Sequence, residues 1–231
     1  IVRQIVGKST VIAVVKADAY GHGSVRISKE LVSEGISHLA VAYTEEAKIL
    51  RDAGITAKIM VLFDRSEIAD YFAYDLVPVI YDIDTAVAFS REAKKRGKKV
   101  RIHLKIDTGM GRIGFMPGAV VAASAFISDL EGLELEGLVS HFSEADSTDC
   151  AHAHQQLEAF NNIRSTIEQM TGRKLLAHMA NSAAILSLRE GLLDAVRSGL
   201  ALYGYSPFQK SFDLRPVMKI KTRVLSIRRL P

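Results

Sequence analysis

The chain is poor in cysteine: Cys150 is the single one among 231 residues. One thiol excludes a disulfide framework and any cysteine-rich zinc module, and it suits a reducing compartment, so a cytoplasmic location is expected. No apolar run approaches the roughly 20 residues needed to span a bilayer, so no transmembrane helix is expected. No leader of a charged start and a short apolar run stands at the beginning. The sequence also lacks an initiator Met and stops at Leu230-Pro231 just after a strand-like run, so both ends are expected to be cut. No internal period and no low-complexity linker breaks it up. Nor does it lack hydrophobic residues, which make up 48% against 24% charged; that balance excludes a disordered chain. The net charge of +4 has one dense source, Arg91 to Arg101. That run sits at the end of a helix-like segment closed by Gly97 and carries no interleaved aromatics. It reads as cations at a helix C-terminus on a solvated face rather than as a nucleic-acid patch.

What is present is alternation. Short apolar runs, most of them carrying β-branched residues, VIAVVK (Val11 to Lys16), HLAVAY (His38 to Tyr43), KIMVLF (Lys58 to Phe63), LVPVIY (Leu76 to Tyr81), VRIHLKID (Val100 to Asp107), LELEGLVSH (Leu133 to His141), LLAHMA (Leu175 to Ala180) and AVRSGLALYG (Ala195 to Gly204), read as strands. Amphipathic segments lie between them. Ser24 suits an N-cap, Thr44, Glu45 and Glu46 open a helix with acids at its positive end, and Pro117 fits a first helical turn. In the helix from His152 to Met170, Leu157, Phe160, Ile163, Ile167 and Met170 form one stripe. Eight strands separated by seven helices predict parallel strands with right-handed crossovers, closed as a (β/α)8 barrel of the TIM type. The barrel is expected over residues 1–213. Residues 214–231 are expected to begin a C-terminal β domain, with a first strand at Met218 to Leu230 on the period-2 pattern of Ile220, Val224 and Ile227.

Barrel enzymes place their chemistry at the C-terminal ends of the strands. The first strand ends in Lys16, followed by Tyr20 and GlyHisGly. A desolvated lysine there is a candidate amine nucleophile toward a carbonyl, or else a side chain whose head reaches solvent at the rim. Lys105, Asp107 and Arg112 follow the fifth strand. They suit an anionic ligand, or form a local Asp107–Arg112 ion pair worth about 0–1 kcal/mol if exposed. His141 ends the sixth strand as a hydrogen-bond bridge or a catalyst. Asn181 and Ser182 follow the seventh strand; Arg197, Ser198, Gly199 and Leu200 belong to the eighth. The loops after strands seven and eight are the habitual phosphate site of this fold. Two leads are set aside. Gly109, Gly111 and Gly114 match G-x-G-x-x-G, but Phe115-Met116-Pro117 delays the helix, and the acids of the next strand, Glu134 and Glu136, stand near its start. Asp149, Cys150, His152 and His154 make a poor metal set, because helix residues two apart face different sides; no metal is expected.

VVKADAYGHG (Val14 to Gly23), KIDTGMGRIGF (Lys105 to Phe115), HMANSAAIL (His178 to Leu186) and RSGLALYGYSP (Arg197 to Pro207) together resemble the signature segments of the alanine racemases, in order and over nearly the whole chain. The resemblance implies pyridoxal 5'-phosphate (PLP) as cofactor. Lys16 would hold it covalently and serve as one of two racemisation bases. Tyr20, Asn181, Ser182, Gly199 and Leu200 would bind its phosphate. Arg197 would donate to the pyridine nitrogen, with His141 behind it, and Arg112 would meet the substrate carboxylate. Lys105 matches a position that is carbamylated in some members. Arginine keeps its proton at ordinary pH, so a ring nitrogen facing Arg197 would stay unprotonated, which favours racemisation over transamination. The second base would be a tyrosine from the β domain of a partner subunit in a head-to-tail homodimer. With that domain, another phosphate-contacting tyrosine, and part of the strand and helix that precede Lys16 lacking here, this polypeptide is expected to bind PLP weakly or not at all and to racemise poorly. The implied activity is interconversion of L- and D-alanine for bacterial peptidoglycan. A serine or broad-spectrum racemase, a non-catalytic PLP-binding barrel and a PLP-free scaffold are the alternatives.

Overall fold

A computed structural model describes residues 1–209 and 212–229. Its strands are β1 (Thr10–Val14), β2 (His38–Val41), β3 (Lys58–Val61), β4 (Leu76–Ile80), β5 (Val100–Lys105), β6 (Leu133–Val139), β7 (Leu176–His178) and β8 (Ala195–Ser198). All pair in parallel with their sequence neighbours, and β1 pairs with β8, closing the barrel. The expected (β/α)8 architecture is therefore the observed one. Pro78 sits within β4, facing Val61 of β3, and the strand forms despite the ladder donor that proline lacks.

Two apolar layers follow from the period of 2 in each strand. Ile12, Val14, Ala40, Met60, Val79, Val139 and Ala195 point inward and fill the barrel. The outward set, including Leu39, Ile59, Ile80, Leu104 and Leu138, packs against the helices. The helix stripe behaves as patterned at Leu157, Phe160, Ile163 and Ile167, but Met170 is 44% exposed. Gly97 closes the helix Ile83–Arg96 in the left-handed conformation, as expected, and Lys94 and Arg96 of the basic run pair with Glu131 and Glu92.

A short helix, Val2–Val6, precedes β1. Three local expectations are corrected. Ser24 is not an N-cap: Gly23 holds that place, and the Asp18 carboxylate accepts the Ser24 N–H at 2.6 Å. The eighth strand ends at Ser198, because Gly199 turns the backbone (φ −112°, ψ −97°) into a 3₁₀ turn, Leu200–Tyr203. Residues 218–229 carry no strand, and Ile220, Val224, Leu225 and Ile227 stand in solvent. A period-2 pattern forms a strand only with a ladder partner for its N–H and C=O groups. Leu230 lies outside the described residues.

Candidate active site

The chain leaves β1 through an unusual turn. Ala17, Asp18, Ala19 and Tyr20 all hold φ between 50° and 55° in the left-handed region. L-residues disfavour that conformation by about 1–2 kcal/mol each, so four in a row must be held by their surroundings. Glu46, in the helix Thr44–Asp52, accepts the Ala17 N–H at 2.5 Å. The Tyr203 hydroxyl donates to the Val14 carbonyl at 2.8 Å, and its ring packs against Tyr20 and stacks on His22. The turn carries Lys16, half-buried, with its amine 5.6 Å from the centre of the Phe63 ring. Neither the left-handed turn nor Phe63 was legible as a functional feature in the sequence.

The glycine-rich segment after β5 folds back on the strand. Asp107 donates its N–H to the Phe115 carbonyl, and Phe115 donates its own to Lys105. The Asp107 carboxylate accepts three backbone N–H groups, from Gly109, Gly111 and Arg112. Of the two readings of these residues, the Asp107–Arg112 ion pair is not formed: the acid holds the Arg112 backbone and leaves the guanidinium to reach the pocket. A Cβ at Gly114 would lie 2.6 Å from the Asp107 nitrogen, so glycine there serves a close backbone approach, not a dinucleotide. The Arg112 guanidinium lies over the same Phe63 ring as Lys16, at 5.3 Å. Lys105 is buried beside Arg197 and Arg112. Burial, then Arg197, brings its amine down to about 7.

Arg197 is buried and heavily engaged. Nη1 donates to His178 Nδ1 (2.6 Å) and to the His178 carbonyl. Nη2 faces the carbonyls of Ser140 (2.6 Å) and Met179 and His141 Nδ1 (3.1 Å). Four of the five guanidinium N–H bonds are thereby used; Nε–H meets no acceptor among the described residues. Arg197 remains a cation, although burial lowers it to about 10. His141 packs against this guanidinium. Burial, then Arg197 and the neighbouring lysines and Arg112, push His141 down to about 3, so its ring is neutral.

The structure adds a column that sequence reasoning missed. Arginine only donates, so His178 Nδ1 must accept, and its Nε2–H points to His103 Nδ1 at 2.9 Å. His103 Nε2 then faces Glu136 at 3.5 Å, and Glu136 accepts from Lys58 at 2.6 Å. A register shift between Ile102 and His103 and the bare Cα of Gly137 make room for the ring: a Cβ at Gly137 would stand 2.5 Å from it. The available signal was His103 and His178 at inward positions of strands read as apolar.

Asn181 caps the helix Ser182–Ser187, accepting the Ala184 N–H. The Ser182 hydroxyl oxygen accepts the N–H groups of Gly199 and Ala201 at 3.0 and 3.1 Å, which leaves its own proton to donate. The Gly199 N–H is therefore committed inside the protein. Gly199 matters for its missing side chain, because a Cβ would lie 2.5 Å from the Tyr20 hydroxyl. His152 packs beside Gly109, and His154 pairs with Glu190. Among the described residues no cluster of His, Cys, Asp and Glu could hold a metal ion, and no helix is long and apolar enough to cross a membrane.

Lys16, Tyr20, Lys105, Arg112, His141, Asn181, Ser182, Arg197, Gly199 and Leu200 all line one cavity of about 330 Å³ at the C-terminal mouth of the barrel. Four of these are lysine or arginine, and the lining holds the single acid Asp146. A reachable amine and two hydroxyls complete a site for a phosphate-bearing carbonyl compound. PLP fits this donor set: the unspent Arg197 Nε–H suits a ring nitrogen, and the Tyr20 and Ser182 hydroxyls suit a phosphate. Fold and site define a lysine-centred (β/α)8 barrel of the PLP-binding class. The model of the alanine racemase N-terminal domain matches residues 1–207. An alanine racemase of Thermodesulfovibrio yellowstonii is 43% identical over 221 residues, 96% of this chain and 58% of that protein. The alanine racemase of Clostridium difficile 630 in complex with cycloserine superposes with a TM-score of 0.88 at 33% identity, covering 93% of this chain and 61% of that one. That of Bacillus anthracis with bound L-Ala-P gives 0.82 at 32%, covering 93% and 58%. The chain belongs to the alanine racemase family and spans about three fifths of the length of these relatives.

Proposed function

We propose that this barrel is the cofactor-holding part of a PLP-dependent alanine racemase that interconverts L- and D-alanine. The observation that carries the reading is the convergence of the Lys16 amine and the Arg197 Nε–H in one cationic cavity. When bound, PLP supplies an electron sink for the carbanion at the substrate α-carbon. Lys16 would hold the cofactor through its amine and would take the α-proton in one direction of the reaction, or deliver it in the other, on one face of the substrate. Arg197, protonated and fixed by His178 and by carbonyls, donates to the ring nitrogen without releasing its proton. Tyr20 and Ser182 donate to the phosphate, with Asn181, Gly199 and Leu200 around it. His141 keeps Arg197 in place, and Arg112 meets the substrate carboxylate. With a pKa near 7, the Lys105 amine is substantially uncharged at neutral pH. It can add carbon dioxide, forming an N–C bond and releasing one proton; the resulting carbamate anion would lie between Arg197 and Arg112 and orient both. Racemisation needs an acid/base on the opposite face too. The family resemblance assigns it to a tyrosine in the β domain of a partner subunit, for which residues 214–231 would be the lead-in. A cytoplasmic role in supplying D-alanine for bacterial peptidoglycan completes the reading, and the single thiol supports the compartment.

A coupled assay for D-alanine tests it, run on this barrel and on the barrel joined to an alanine racemase β domain. Expected are D-alanine from L-alanine with the joined protein and little with the barrel alone. D-serine formed faster than D-alanine would replace the substrate, and no racemisation by either would overturn the reading.

Gly199→Ala tests the phosphate end. The new Cβ meets the Tyr20 hydroxyl, and Tyr20 is braced by Tyr203, with ring centres 5.0 Å apart. PLP affinity is expected to fall about tenfold, roughly 1.4 kcal/mol, while pyridoxal, which lacks the phosphate, binds as before. Fluorescence titration of both ligands checks it, and an equal loss for both would place the effect elsewhere.

A further inference from the structure

We propose that Glu46 is a positioning residue for Lys16, an inference that rests on the assignment of Lys16 as the cofactor-holding amine. Glu46 lies one strand away, in the first turn of the helix Thr44–Asp52. At that position it complements the helix dipole and reaches back to the N–H of Tyr43, at 3.2 Å. A capping role ends there, but the contacts do not. The oxygen that meets Tyr43 also accepts the Ala42 N–H at 2.7 Å. The other oxygen turns to β1 and accepts the Ala17 N–H at 2.5 Å. One carboxylate therefore bridges the ends of two adjacent strands and grips the residue that immediately follows Lys16. Ala17 opens the run of four left-handed residues, and both it and Asp18 are exposed, so apolar packing does not hold the entry to the turn. Further along, Asp18 and Ala19 are tied to Ser24 and Val15. At Ala17 the tie is Glu46, and it sets the direction in which the Lys16 side chain leaves β1 toward Phe63.

The test needs a readout of position rather than of stability. Reductive ¹³C-methylation labels the lysine amines. In the native protein the Lys16 signal is shifted by the ring current of Phe63, which lies 5.6 Å from the amine. In Glu46→Ala that shift is expected to collapse, and the rate of PLP attachment to Lys16 to fall about tenfold or more, since misplacement by an ångström can cost that much or more. Glu46→Gln offers one acceptor but sets an NH₂ against a backbone N–H on the other side, so both readouts should lie between wild type and Glu46→Ala. Asp82→Ala is the control. Asp82 is another carboxylate that caps a helix, accepting the Thr85 N–H at 2.7 Å, without touching the lysine turn; its loss should lower stability and leave both readouts unchanged. A native Lys16 signal in Glu46→Ala, or an equal collapse in Asp82→Ala, would overturn the proposal. Absence of a PLP adduct in wild type would instead strike the assignment of Lys16, while the ring-current shift would still decide the role of Glu46.

Discussion

Replacing Lys16 by alanine is expected to abolish covalent attachment of PLP and to lower racemisation on the order of 10⁴-fold, the loss typical of removing a group that is both nucleophile and base. The fold should survive. Lys16 is half-buried, and its described contact is the Phe63 ring, a cation–π interaction worth about 0.5–1 kcal/mol at an exposed site. For a chain of this length that is a loss of only a few degrees in Tm. The informative rival is Lys105, the other lysine of the cavity, whose amine, brought down to about 7, is substantially uncharged at neutral pH. Geometry argues against substitution of one for the other. Lys105 Nζ is directed to the Ile106 carbonyl at 3.2 Å and is buried below the mouth, whereas Lys16 stands at the rim beside Tyr20. Borohydride reduction and peptide mapping decide it: an adduct on Lys16 in wild type and none in Lys16→Ala is expected. An adduct that moves to Lys105, or full activity without Lys16, would overturn the assignment.

The barrel was legible because most strands advertise themselves twice, by a short apolar run and by the helix pattern that follows. Lys16, Lys105, His141, Ser182 and Arg197 were legible for a further reason: this fold puts chemistry at strand ends, so position in the pattern identified the candidates. Their partners were not legible. That Asp107 clasps backbone N–H groups rather than the Arg112 guanidinium depends on the positive-φ glycines bending the loop around it, and charge sign alone left both readings open. That Glu46 serves Lys16 as well as its own helix depends on how β1 and β2 lie side by side. The histidine column depends on a register shift and on Gly137, neither of which leaves a periodic trace. His103 and His178 stood within runs that satisfied the apolar criterion without them, so the polar residues inside the barrel were masked by the pattern that predicted the barrel.

That interior carries the second large expectation: the protein should lose stability steeply as pH falls from about 6.5 toward 5. Burial first, then Arg197 and its neighbours, hold His178 well below its ordinary value. Burial also lowers His103, against the partial opposition of Glu136, and His141 lies at about 3. These groups stay neutral in the fold and take up protons when unfolded. Their contribution is complete above the unfolded value near 6.5 and is lost as pH falls toward the folded values. Each histidine contributes a slope of up to about 1.4 kcal/mol per pH unit, so three give about 4 kcal/mol per unit at the limit, a large fraction of a typical domain stability of about 5–15 kcal/mol. Glu136 does not confound this window. It is lowered to about 2 by His103 and Lys58, so its contribution persists down to the unfolded carboxylate value near 4.5 and is lost only below it. Urea unfolding at pH 7.5, 6.5, 5.8 and 5.2 measures the slope. His178→Leu should be less stable at pH 7.5 by about 2–3 kcal/mol, since Arg197 Nη1 and His103 Nδ1 lose a buried partner. It should also be flatter in pH, because one titrating group is gone. A urea midpoint that holds constant between pH 7.5 and 5.2 would mean that protons enter the column without cost, through a protonated His178–His103 pair that the neighbouring Arg197 charge argues against.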